Sequence, residues 1–331
     1  MPVLSHHLRQ EGKAHSALTA ELAGLLAEIA LAGKIIAREV GRAALTGRLG
    51  ETGETNVQGE WVKKLDEWSN RAMVDVLRES RLVSALVSEE MDAPLVVPDC
   101  RGASRYVVCF DPVDGSLNLD VNGIVGTIFG IRPGRAATDP HPAAAALGPG
   151  TAQVAAGYIM YGPATVLVYT AGHGVHGLTL DTATGEYRLA HPDIRMPAHG
   201  RTYSVNDGNW NRWGPAPRAL IEAFRSGLAG TRSYSQRYAG ALVADFHRTL
   251  LEGGIYLYPA EAGAKTAGKL RLLYEAAPLA LVAEQAGGRA STGTERILDV
   301  AATGYHQRVP LFIGSTDEVR RAEALHRGVV G

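Results

Sequence analysis

Apolar positions along this chain fall into two periods. Leu18, Leu22, Leu25, Ile29, Ile36, Val40 and Ala43 recur at helical spacing, which predicts a long amphipathic helix over residues 19–46. Val62, Leu65, Ala72 and Val76 predict a second helix over 62–79. The Gly- and Thr-rich stretch between them, 47–58, reads as a mobile loop. Residues 82–88 and 106–110 are apolar without alternation, the pattern of strands buried on both faces. Pro112 cannot donate to a ladder, so Asp111 is the last expected residue of the second strand. Residues 132–151, rich in Pro, Gly and Ala, read as an exposed loop. Short strands follow over 153–189, with a turn at Thr184-Gly185. Beyond residue 200, helices are expected near 217–225, 240–251, 275–286 and 317–326, with strands at 254–258 and 310–313.

The chain has 331 residues, more than one ordinary core, and divides best into two joined halves, 1–200 and 201–331. A net charge of −1 gives no bulk attraction to nucleic acid or anionic lipid, so any affinity for phosphate must be local. No apolar run approaches the ~20 residues of a membrane span, and the first thirteen residues hold no secretory core. A cytoplasmic protein is expected. Cys100 and Cys109 match no zinc pattern and read as reduced, unpaired thiols.

The candidate chemistry lies where the two buried strands end. One runs into Glu89-Glu90, the other into Asp111-Pro112-Val113-Asp114. Neighbouring strands that stop together would gather these carboxylates around one point, an arrangement stable only around hard cations such as magnesium or manganese. Gly115 and Ser116 then offer backbone N–H groups at a turn, a place for a phosphate oxygen. By contrast, Gly172-His173-Gly174-Val175-His176-Gly177 matches a dinucleotide fingerprint in letters only. A strand-like alternation follows it where a helix is required, so it reads as a connection between strands. His173 and His176 have no third ligand nearby in sequence and read as turn or surface residues, as do His247 and His306.

The run Asp111-Pro112-Val113-Asp114-Gly115-Ser116 resembles the signature of the lithium-sensitive, metal-dependent sugar phosphatases. Gly126 to Ile131, Ala155 to Tyr158, Tyr234 to Tyr238, Ala244 to Leu250, Gly268 to Glu275 and His306-Gln307-Arg308 then resemble class I fructose-1,6-bisphosphatase, in that family's order. The resemblance spans nearly the whole chain. It implies the layered α/β sugar-phosphatase fold and magnesium-dependent hydrolysis of fructose 1,6-bisphosphate to fructose 6-phosphate. It also leaves open action on sedoheptulose 1,7-bisphosphate, since a pocket discriminates weakly against one added carbon unit. A silent sugar-phosphate or AMP sensor is the rival of another class.

The resemblance further implies site residues. The metal ligands would be Glu89, Glu90, Asp111, the Val113 carbonyl, Asp114 and Glu275, with Asp66 and Glu90 activating the attacking water. Glu60 stands where the family carries aspartate at the end of a catalytic loop that also includes Asn56, Lys63 and Lys64. Asp114, Gly115, Ser116, Asn206, Arg237, Tyr238, Gly240, Ala241, Tyr258 and Lys269 would receive the sugar phosphate. Arg237 would reach into a neighbouring subunit, which implies a homo-oligomer, usually a tetramer. Thr19, Glu21, Arg105 and Tyr106 match the surroundings of the family's AMP site, but Ala20, Ala23 and Arg105 replace preferred residues there, so weak AMP control is expected.

Overall fold

A computed structural model describes residues 1–55, 61–98, 106–135, 139–227, 233–263 and 267–328. The two strands expected to be buried are its centre. Val83–Ser88 is buried at all six positions and Tyr106–Asp114 at all nine. They run parallel as neighbours in an eight-stranded sheet, so their carboxyl ends stop together. From one edge the sheet runs Glu186–His191, His176–Asp181, Thr165–Thr170, Ala155–Tyr161, Val125–Pro133, Tyr106–Asp114, Val83–Ser88 and Leu95–Val96.

Alternate side chains serve different layers, as the period of a strand requires. Leu86, Val108 and Phe110 join a core with Leu25, Ile29, Leu65 and Met73, from the helices Ala20–Val40 and Lys64–Ser80. Val87, Val107 and Cys109 join another with Phe246, Leu250, Leu279 and Val282, from the helices Leu242–Glu252 and Ala277–Gln285. Those central helices also carry a second sheet, ordered Ser235–Gln236, Thr202–Ser204, Ile255–Tyr258, Leu311–Gly314 and Arg289–Ser291. Tyr256 and Ile313 face them, while Ile255, Leu257 and Phe312 pack outward on the helices Pro215–Ser226 and Thr316–His326. The layers therefore alternate helix, sheet, helix, sheet, helix. Among the described residues, no helix is long and apolar enough to cross a membrane.

Several expectations are corrected. The stretch 47–58 is not simply a loop: Glu51–Thr55 pairs antiparallel with Trp61–Lys63. The first long helix stops at Val40, where Gly41, a poor helix former, begins a series of turns. The helix Leu4–Ala14 escapes periodicity because its buried face holds only Leu4, His7 and Leu8. The described residues of 132–151 are not simply an exposed loop, since Arg132 and Pro133 finish a strand and Ala143 and Ala146 are buried beneath the sheet. Alanine is small enough to let a short turn pack there. His247 and His306 are not free surface groups, because the Nδ1 of each lies 2.8 Å from a tyrosyl hydroxyl, Tyr158 and Tyr274 respectively. The glycine run at 172–177 does connect two strands, Thr165–Thr170 and His176–Asp181, with no helix after it.

The strand that should end at Asp111 continues to Asp114. Its register against Val125–Pro133 slips between Asp111 (opposite Ile128) and Asp114 (opposite Gly126), leaving one extra residue. Pro112 lies in this bulge, where its missing donor disrupts no ladder. The Thr127 hydroxyl fixes the bulge by donating to the Pro112 carbonyl at 2.8 Å.

Candidate active site

The bulge changes which way the chain presents its two acids. Asp111, Asp114 and Glu275 are all buried, and an oxygen from each lies within 4.8 Å of the others. Asp111 is braced by its own loop, its Oδ1 accepting the Val113 N–H at 2.9 Å. Asp114 Oδ2 accepts the Val243 N–H at 2.7 Å, at the amino end of the helix Leu242–Glu252. Glu275 sits on a single π-turn, Leu272–Ala276, and its Oε2 accepts the Arg271 N–H at 2.5 Å. A wide turn of this kind re-aims one side chain at the start of a helix.

These acids line a cleft of about 380 Å³ together with Asp66, Glu89, Glu90, Val113, Gly115 and Ser116. Opposite them stand Asn206, Tyr238, Gly240, Tyr258 and Lys269 from the second half of the chain. The structure thus collects acids and sugar-side donors in one space. Arg271, Asn118, Tyr256 and Leu117 also line the cleft and were not anticipated. Arg271 is buried, with Nη2 only 2.6 Å from Glu89 Oε1. It lies on the two-residue strand Leu270–Arg271, so no local spacing pointed to it. Asn118 donates to the carbonyls of Ile124 and Ala239 at 3.0 Å each, tying the two halves at the cleft.

Crowding governs the electrostatics. Burial, then the charges of Glu89, Asp114 and Glu275, push Asp111 well above the ordinary carboxylate range. Burial raises Asp114 and Asp66 to about 7 each. Asp66 caps its own helix, accepting the Lys63 N–H at 3.2 Å, while its Oδ1 is buried without a partner. Arg271, paired with Glu89 and Glu275, offsets only part of this negative charge, and oxygen donors at such spacing suit a hard divalent cation. The donor set therefore fits magnesium or manganese.

Other predicted residues stand elsewhere. Arg237 is exposed outside the cleft, its Nη1 donating to the neighbouring Gln236 carbonyl at 2.8 Å. Ala241 is buried behind the cleft against Gly115. Lys63 is buried, with Nζ 2.9 Å from Asp120, whereas Lys64 is exposed. Asn56, Glu60 and Arg105 lie outside the described residues. Thr19 accepts the Leu22 N–H as a helix cap and its hydroxyl lies 3.2 Å from that of Tyr106, with Glu21 in the first turn.

Gly115 is required twice over. Its φ is +76°, and a Cβ there would lie 2.3 Å from the Ala241 Cβ. Gly115→Ala is expected to cost roughly 2–4 kcal/mol, from the left-handed backbone and the overlap together. Urea unfolding with an unchanged midpoint would show that this turn tolerates a side chain.

Comparison with known proteins agrees with this geometry. The family model for the N-terminal domain of fructose-1-6-bisphosphatase matches residues 3–192, and that for the C-terminal domain matches 196–327. The class 1 fructose-1,6-bisphosphatase of Oleidesulfovibrio alaskensis is 48% identical over 98% of both chains. That of Nitratidesulfovibrio vulgaris is also 48% identical, over 98% of this chain and 97% of its own. The crystal structure of Leishmania major fructose-1,6-bisphosphatase in holo form superposes with a TM-score of 0.91 at 39% identity, covering 98% of this chain and 99% of that one. With every layer of the fold and both halves of the cleft inside these matches, the chain belongs to the class 1 fructose-1,6-bisphosphatase family.

Proposed function

We propose that this protein hydrolyses the 1-phosphate of D-fructose 1,6-bisphosphate, giving fructose 6-phosphate and phosphate, with magnesium or manganese held by Glu89, Glu90, Asp111, the Val113 carbonyl, Asp114 and Glu275. The observation that carries the reading is the meeting of these acids with Lys269 and the tyrosine pair in one cleft. The bound cations would supply charge neutralisation at the phosphoryl oxygens and leaving group, and acidify the attacking water. Asp66 and Glu90 take the water's proton, both lining the cleft beside the metal-binding acids. Lys269, whose Nζ lies 5.8 Å from the Tyr258 ring centroid, gives the sugar phosphate a point charge. Asn206, Tyr238 and Tyr258 add neutral donors. Gly115 and Ser116 give backbone donors on the metal side. The division of labour follows two halves that part near residue 200.

Purified protein with magnesium is expected to release one phosphate per fructose 1,6-bisphosphate, leaving fructose 6-phosphate. Retention of the 1-phosphate in the product, or binding without turnover, would overturn the assignment.

Arg237 completes the site of a neighbouring subunit in a homotetramer. Its exposure and its place outside its own cleft support this arrangement. Losing a charge-assisted phosphate contact costs about 1.5–3 kcal/mol, so Arg237→Ala should raise KM roughly 10- to 150-fold. Mixed oligomers of Arg237→Ala and Asp114→Ala subunits test the sharing. Sites that keep Asp114 can borrow Arg237 from the other parent, so activity at low substrate should return. Verified mixing without recovery would place Arg237 in its own subunit's site.

A further inference from the structure

The helix Leu4–Ala14 lays His7 and Glu11, one turn apart, against His176 at the start of the strand His176–Asp181. His7 is 4% exposed and His176 8%. The Nε2 atoms of both are buried without a hydrogen-bond partner. The two rings meet edge to face with centroids 4.7 Å apart. Glu11 Oε2 lies 3.6 Å from His176 Nε2, and one donor atom from each of the three residues falls within 4.8 Å of the others.

Two buried ring nitrogens without partners cost stability unless something supplies the missing bond. A proton does not serve both. Burial, then the neighbouring His176, pushes His7 down to about 4, so at neutral pH its imidazole is uncharged and free to donate a lone pair. Two imidazoles and a carboxylate form a zinc-type donor set with an open fourth position. Zinc bonds of about 2.0–2.1 Å place tetrahedral donors about 3.4 Å apart, and the Glu11–His176 pair already stands near that separation. Glu11 is partly exposed, so its side chain can swing in. His15 Nε2 lies 3.9 Å from the same carboxylate oxygen, where a fourth ligand or water would enter. The Asp193 N–H donates to His176 Nδ1 at 3.5 Å; loading would move the ring proton to Nδ1 and give up this long contact.

We propose that His7, Glu11 and His176 form a zinc-type divalent metal site, distinct from the carboxylate cleft, that pins the N-terminal helix to the large sheet. The two sites differ in donor chemistry. Magnesium competes only for the oxygen cleft, so in excess magnesium the four-coordinate cobalt bands, rather than total cobalt uptake, report the histidine site.

Metal-free protein would be titrated with Co²⁺ in excess Mg²⁺ at pH 7.5. The intense visible bands of a four-coordinate ion are expected at one equivalent per chain, bleached by one equivalent of Zn²⁺. His7→Gln and Glu11→Gln, made separately, should each weaken zinc binding roughly 100-fold and lose those bands. Zinc should raise the Tm of the wild type in magnesium buffer but not that of either variant, while magnesium-supported kcat stays unchanged in all three. The Glu11 change is at a partly exposed side chain, so it reports on the site even if the buried His7 change unfolds the protein. A pale six-coordinate spectrum in the wild type, or bands that survive both substitutions, would overturn the site and leave only a Glu11–His176 ion pair.

Discussion

Glu90→Gln is expected to lower kcat by roughly 10²–10⁴-fold while leaving fold and substrate affinity nearly intact. The side chain follows directly on the buried strand Val83–Ser88 and is half-buried at the cleft wall. Its backbone is fixed independently of its carboxylate, because the Glu90 N–H donates to Ser88 Oγ at 3.2 Å. Glutamine keeps the shape and removes both the charge and the proton acceptor. The loss should therefore fall on the chemical step rather than on KM. Steady-state kinetics beside a far-UV CD spectrum measure this directly. A variant with wild-type kcat would remove Glu90 from the chemistry.

Chelation of divalent cations should abolish turnover, and added magnesium should restore it. The same removal should change how stability depends on pH. Asp66 titrates near 7 in the folded chain against 3.8 when unperturbed, chiefly because it is buried. Between those values the folded chain keeps a proton that the unfolded chain has lost. The contribution of Asp66 to the stability of the metal-free protein therefore falls as pH rises through this window, by on the order of 4 kcal/mol for one group shifted so far, while buried His7 and His247 act oppositely below about pH 6.5. Asp114 and Asp111 shift in the same direction as Asp66. Magnesium replaces the missing protons, so its stabilising effect should be larger at pH 8 than at pH 5. Melting curves with and without EDTA at both pH values check this. Full turnover in EDTA, or a magnesium stabilisation no larger at pH 8 than at pH 5, would show that the acids do not depend on a cation.

Much of the acidic lining of the cleft was legible in the sequence because burial and charge contradict each other there. Glu89, Asp111 and Asp114 follow directly on apolar runs, which is conspicuous in one dimension. Asp66 and Glu275 are not. Asp66 reads as a solvated helix-side aspartate and Glu275 as a favourable first-turn acid, and only the packing of the helix against the strand ends, or the π-turn, aims each inward. Arg271 escaped for a similar reason: one arginine beside apolar residues carries no periodic signal, yet it is buried against Glu89. The long helices and the two buried strands were readable from extended periodic or apolar segments. The strands Thr202–Ser204 and Arg289–Ser291 were not, since three residues are too few to show a period. Histidine was misjudged where its partners come from afar; no local spacing announces that Glu11 will meet His176.

Asp114 holds the amino end of the helix Leu242–Glu252 through the Val243 N–H. That bond matters when genomes are searched for relatives that have given up catalysis. Losing the carboxylate leaves a buried N–H without an acceptor, at a cost of about 1–3 kcal/mol. Selection for a folded chain alone would then keep an acid at this position long after the reaction had gone. Its presence in a distant sequence says more about the helix than about turnover. Loss of activity would be written first at positions such as Glu90 and exposed Lys269, where a substitution costs the fold far less.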